Sequence, residues 1–161
     1  MKLVFCDESN LILFLNNLSI QKIQFEDREE LEMYFRNLFL KLKDSYQIVI
    51  NGYYQIDIYL DHYYGAIIEI EKEELDYFEY DDNQVDMRIC IHQTPILYEL
   101  EEYIPLDEKI YDMIWYHNKW YVKLKEKIDD IHLGRLLEYA NVHYQNDTEQ
   151  IIRRGIHLEK T

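Results

Sequence analysis

An α+β fold, with antiparallel sheet and helices packed on one face, is what this chain predicts, and three observations lead there. Apolar residues recur at helical spacing from Leu31 to Leu42. A strand-like alternation then governs most of the chain from Tyr53 to Leu124, and helical spacing returns after Asp129. The first part runs helix, strand, strand, strand, for which an antiparallel sheet with a helix against one face is the simplest packing.

Taken in order, Leu3-Val4-Phe5-Cys6 reads as an edge strand. The unbroken run Leu11-Ile12-Leu13-Phe14-Leu15 fits a strand or a short helix, because it has no period. Ile20 to Phe25 alternates Ile20, Lys22 and Gln24 against Gln21, Ile23 and Phe25, which predicts a strand. Asp27 with Glu30 forms a capping box, and Leu31, Tyr34, Phe35, Leu38 and Leu42 make the apolar stripe of a helix reaching Lys43. Strands are predicted at Gln47–Ile50, Tyr53–Leu60 and Ala66–Glu71. In the second, Ile56, Ile58 and Leu60 share one face while Asp57 and Tyr59 share the other, as a half-buried strand requires. Asn51-Gly52 suits a type I′ hairpin turn or a bulge, and Asp61–Gly65 is the next turn.

The strongest strand pattern follows, with Val85, Met87, Ile89 and Ile91 alternating against Asp86, Arg88, Cys90 and His92 until Pro95 breaks it. Ile96–Leu100 and Ile110–Tyr116 read as further strands, and Trp120–Leu124 completes a hairpin through His117-Asn118-Lys119. Asp129 or Asp130 caps a helix with the stripe Ile131, Leu133, Leu136, Leu137 and Ala140, which Asn141 can close. Val142–Tyr144 fits a strand, and Asp147 with Gln150 opens a short helix ending at Gly155. A chain of 161 residues holds one domain or two small subdomains. The expected division is a helix-plus-sheet N-terminal subdomain, 1–84, and a strand-rich C-terminal subdomain with two terminal helices, 85–161. One shared core is the alternative.

Charge is unevenly spread. Residues 1–45 carry 6 basic and 8 acidic groups, residues 46–117 carry 3 and 17, and residues 118–161 carry 8 and 7, giving −2, −14 and +1. Twelve of the sixteen Tyr residues lie between Tyr46 and Tyr116. Such a middle segment repels a phosphate backbone, so no direct nucleic-acid binding is expected, and it attracts basic surfaces. No stretch approaches the roughly 20 apolar residues that span a bilayer, and acid at Asp7 and Glu8 comes too early for a secretory signal. Both point to the cytoplasm, where Cys6 and Cys90 would stay reduced.

Several chemistries find no pattern. The four Gly residues form neither phosphate-binding motif, and Ser9, Ser19 and Ser45 sit in no nucleophile motif. His62, His92, His117, His132, His143 and His157 lack metal-ligand spacing. Neither cofactor nor metal is therefore expected. Paired acids such as Glu73-Glu74 and Asp81-Asp82 leave room for a small carboxylate-based hydrolase, although 32 acids make such pairs common by chance.

The segment Glu69–Asp82 holds eight acids and one Lys, interleaved with aromatic rings. Its plain reading is a solvated connector. Its functional reading is a partner-binding surface formed by Glu73, Glu74, Asp76, Tyr77, Phe78, Tyr80, Asp81 and Asp82, in which rings supply contact area and acids steer a basic partner. An acidic inhibitor that imitates nucleic-acid charge and blocks a nucleic-acid-binding enzyme is the alternative.

Some short strings also resemble a known family. Phe25-Glu26-Asp27-Arg28-Glu29-Glu30 precedes an aromatic-rich helix, followed by Tyr46, Val49, Gly52, Ile56, Gly65 and Ile68. Later come Trp115-Tyr116-His117-Asn118-Lys119-Trp120-Tyr121, then Leu137-Glu138-Tyr139-Ala140 with Asn146 and Ile151. In this order they resemble MecA, the adaptor family that delivers proteins to Clp-type AAA+ proteases in Gram-positive bacteria. The chain departs from that family in showing no evident helix at the start of its second half and in carrying Ala140 where a Gly is expected. The resemblance implies an adaptor, not an enzyme, with an AAA+ protease subunit and a client protein as partners.

Overall fold

The computed structural model describes residues 2–7, 9–74, 79–82, 84–144 and 147–158. Its helices and two antiparallel-dominated sheets make an α+β fold. The chain divides into two compact units, one of Met1–Tyr59 with Gly65–His92 and one of Leu60–Tyr64 with Gln93–Thr161.

The first unit contains β1 (Lys2–Phe5), β2 (Asn10–Asn16), α1 (Asn17–Ile20), α2 (Arg28–Tyr46), β3 (Gly52–Asp61), β4 (Gly65–Glu73) and β5 (Val85–Gln93). Its sheet runs β1-β2-β4-β3-β5. The β2/β4 register pairs Leu11 with Ile70, Leu13 with Ile68 and Leu15 with Ala66, so all six side chains share one buried face. Tyr54, Ile56 and Ile58 of β3 are buried too. Helix α2 begins where Asp27 accepts hydrogen bonds from the N–H groups of Glu29 (3.1 Å) and Glu30 (3.3 Å). The Asp27 N–H donates to the Gln24 carbonyl. Leu31, Phe35, Leu38, Phe39 and Leu42 are its buried stripe, each contributing roughly 1.5–3 kcal/mol over exposure. Phe39 meets Tyr54 with ring centroids 5.1 Å apart, and Arg36 donates to the Val85 carbonyl at 2.9 Å, which holds the helix on the sheet.

Several expected elements differ. The run Leu11–Leu15 is a strand, because β1 and β4 supply pairing on both its sides. Ile20–Phe25 is not a strand: Asn16 accepts from the Ser19 N–H at 2.9 Å and caps α1, and the Ile23 N–H returns to the Ile20 carbonyl. Gln47–Ile50 is also irregular, since Gln47 ends α2 in the left-handed region at φ 53°. Asn51-Gly52 makes no hairpin turn; Gly52 opens β3 and donates to the Gln84 carbonyl at 2.9 Å. β5 belongs to the first sheet as the neighbour of β3, so the division expected after residue 84 falls after His92. The Asp61 turn is present, and Gly65 beyond it has φ 126°, with a Cβ there running into the Leu15 carbonyl.

The second unit contains β6 (Leu97–Leu100), β7 (Tyr111–Tyr116), β8 (Lys119–Leu124), α3 (Asp130–Tyr139), β9 (Ala140–His143), α4 (Thr148–Arg154) and β10 (Ile156–Leu158). Its sheet runs β10-β7-β8-β6-β9, antiparallel throughout. His117 and Asn118 take positive φ of 46° and 61°, as a two-residue I′ hairpin requires. On one face Leu97, Ile114, Tyr121 and Ile151 form a buried cluster that seats α4. Gly155 is required behind it, because a Cβ would collide with Ile114. Asp129 caps α3 by accepting from the His132 N–H at 2.8 Å. The helix is closed by extended Ala140, which starts β9, and not by Asn141. Asp147 precedes α4 without capping it; its carboxylate lies 2.7 Å from His143 Nε2 instead. The closing strand β10 was not signalled by any long periodic run. No helix among the described residues is long and apolar enough to cross a membrane.

Candidate functional site

The acidic segment singled out in the sequence is anchored at both of its described ends. Glu73 closes β4 and Glu74 follows it, both exposed. Asp76, Tyr77 and Phe78 lie outside the described residues. On the returning side, the half-buried Tyr80 donates its hydroxyl to Asp86 at 3.1 Å and accepts at its carbonyl from Asn51 Nδ2 at 3.3 Å. Asp81 and Gln84 exchange hydrogen bonds, the Asp81 N–H donating to Gln84 Oε1 at 3.2 Å. Asp82 is exposed. Hydrogen bonds from the Asn51 side chain to the Tyr80 carbonyl and from the Gly52 N–H to the Gln84 carbonyl thus fix the second end beside the start of β3.

Asn51 also accepts from Lys72 Nζ at 3.3 Å, and Lys72 lines a cleft of about 710 Å³ in the first unit. Glu74 lines the same cleft, which brings one predicted residue into a concave site. Its walls come from the sheet (Leu11, Ile70), from α2 (Phe39, Leu42) and from the irregular stretch Ile48-Val49-Ile50. Beside it, Phe5 is 42% exposed, Tyr46 55% and Val49 68%, and the Phe5 and Tyr46 rings meet edge to face at 5.3 Å. Gln47 closes α2 in the left-handed region, and the residues 47–50 that follow, Val49 among them, belong to no strand.

The cleft also carries polar side chains, several of them engaged. Asp7 accepts from the Ser9 N–H at 2.7 Å and from Asn10 Nδ2 at 2.9 Å. Asn10, which lines the cleft, has a buried Oδ1 with no hydrogen-bond partner among the described residues. Tyr54 donates to the Asn51 carbonyl at 3.2 Å, and burial pushes its pKa up. An apolar hollow of this volume with a handful of polar groups has the make-up of a binding pocket.

Elsewhere the structure brings together residues that the sequence left apart. His92 Nε2 lies 2.9 Å from Asp57 and its ring stacks on Tyr59 at 4.8 Å, while Gln55 Nε2 lies 3.5 Å from Cys90 Sγ. These are cross-strand ties on the polar face of β3 and β5. His62 and His117 lie in turns, as expected. His157 bridges Asp112 (2.8 Å) and the Ile152 carbonyl (2.7 Å), and its pKa is raised chiefly by that carbonyl and then by Asp112, against an opposing effect of burial. Among the described residues, no group of three His, Cys, Asp or Glu side chains converges as metal ligands would.

The sequence reading missed Phe5, Val49 and Lys72 as site residues. Tyr46 carried a signal: it lies four residues after Leu42 and continues the helical stripe to the last residue of α2, where it is exposed. No known protein family, curated protein or solved structure matches the chain, so the case for function rests on this cleft and its charge.

Proposed function

We propose that this chain is an acidic protein-binding module that acts without catalysis, its cleft in the first unit receiving apolar side chains of a partner. The observation that carries this reading is the exposed trio Phe5, Tyr46 and Val49 beside an apolar hollow, with Glu74 and the acidic segment beginning at its wall. Burying one such side chain contributes roughly 1.5–3 kcal/mol. The flanking carboxylates add steering toward a basic partner more than affinity. The resemblance to MecA gives the partners concrete form: an AAA+ protease subunit and a client protein, met in the cytoplasm.

Immobilised chain in a Gram-positive lysate tests this. Recovery of an AAA+ subunit with ATP, reduced by Val49→Glu, is the expected result. Recovery of no AAA+ subunit, with or without ATP, would sink the adaptor reading. Capture of a nuclease or polymerase that DNA displaces would put a nucleic-acid mimic in its place.

A further inference from the structure

The second unit carries a different surface. Direct cross-strand pairs put their side chains on one face of a sheet, and Ile156↔Trp115, Trp115↔Trp120, Trp120↔Leu100 and Leu100↔Ala140 run as one row across five strands. Leu100 and Ala140 are buried, but the other end of the row is open: Trp115 and Trp120 are only half-buried and Ile156 is 68% exposed. The two indoles lie 4.8 Å apart, and Tyr103, 49% exposed, brings its ring to 5.3 Å from Trp120. At the Ala140 end of the row a groove of about 220 Å³ is lined by Glu101, Glu102 and Glu138 together with Tyr139. All three carboxylates are exposed, and none is ion-paired among the described residues. Glu101 and Glu102 immediately precede Tyr103, so ring and carboxylates sit on one short stretch of backbone.

We propose that this face is a docking site for an arginine-bearing basic segment of a partner protein. A guanidinium is planar, stacks on indole and phenol faces and takes carboxylates in a two-pronged pair, which matches Tyr103, in contact with Trp120 and preceded by Glu101 and Glu102, better than an ammonium does. The row supplies the stacking surface, and the groove supplies the counter-charge. Apolar residues next to the arginine would cover Ile156. This surface is independent of the cleft in the first unit, sharing no residue with it.

The chain's two Trp residues are Trp115 and Trp120, so intrinsic Trp emission reports on this face alone. The full chain is titrated with a labelled peptide of three Arg-Leu repeats, its Lys-Leu and Glu-Leu counterparts serving as controls. A saturable change in Trp emission is expected with the arginine peptide, weaker with lysine and absent with glutamate. The Glu101→Gln, Glu102→Gln, Glu138→Gln triple variant, exposed and harmless to the core, is expected to weaken binding about tenfold. Val49→Glu is expected to leave it unchanged, which separates this proposal from the reading of the cleft. No binding by the arginine peptide, binding without a change in Trp emission, or equal binding by the triple variant would each overturn the proposal. Self-association abolished by Arg153→Ala with Arg154→Ala and by the triple variant alike would place a second copy there and overturn it as well.

Discussion

The two units use their sheets in opposite ways. In the first, α2 lies across one sheet face, and at its end, where Gln47 closes the helix, a hollow opens with Val49 in its lining. In the second, α4 is seated on one face, while the row from Ile156 to Trp120 on the other stays partly open. Concavity therefore lies at a helix end, and a flat aromatic strip comes from cross-strand register. A hollow selects by shape and apolar volume, whereas a strip with adjoining carboxylates selects by charge and stacking. On the two proposals made above, that difference would suit one small chain to two kinds of partner.

The largest expected effect tests whether each sheet depends on its own helix. Phe35→Ala empties a fully buried position under α2 and should cost about 3–5 kcal/mol; Ile151→Ala under α4 should cost about 2–5 kcal/mol. Denaturant titration followed by circular dichroism measures both, and a loss below about 1 kcal/mol at either site would mean that its helix does not close that core.

Asp61→Ala probes the second unit's turn. Its carboxylate accepts from the N–H groups of Tyr63 and Tyr64, each at 2.8 Å, and of Ile96 at 2.7 Å. Removing it leaves three donors without their acceptor, for an expected loss of about 2–3 kcal/mol in the same titration. Wild-type stability would show that water replaces the carboxylate at no cost.

Val49→Glu sharpens the contrast from the side of binding. Because Val49 is exposed, stability should move by no more than about 0.5 kcal/mol, while capture of the AAA+ subunit should fall about tenfold in a quantitative pull-down. Unchanged capture would remove the cleft from the binding surface.

The smallest effect lies at β10. His157 has a raised folded pKa, so protonation favours the folded state. Its contribution is complete below the ordinary histidine value and is lost as pH rises through the raised folded one. Stability measured from pH 6 upward should therefore decline slightly, and His157→Gln should flatten that decline. An identical slope in the variant would assign the pH dependence to another group.

Some of this was readable in advance because its cause is local. Asp27 and the stripe from Leu31 to Leu42 define α2 by spacing alone, Val85–Ile91 alternates cleanly, and His117-Asn118 accepts the positive φ that its hairpin needs. Ile20–Phe25 and Gln47–Ile50 misled because apolar residues there continue a strand-like pattern while a cap and a left-handed residue decide the backbone. The acidic segment was visible as a charge run, yet only Glu74 could be tied to the cleft. The remaining walls come from residues 5–11, 39–54 and 70–72, which no window of sequence contains.

What the sequence determined by itself is the α+β class, the position of α2 and of the best strands, and the concentration of negative charge and Tyr between Tyr46 and His117. These follow from spacing and composition, which act over a few residues. Tertiary structure alone decided that β5 joins the first sheet, that a hollow opens at the end of α2, and that Trp115 meets Trp120 in a row whose other end carries an acidic groove. Each depends on which strands pair and in what register, a choice made by burying apolar faces across the whole chain and not by any neighbouring residues.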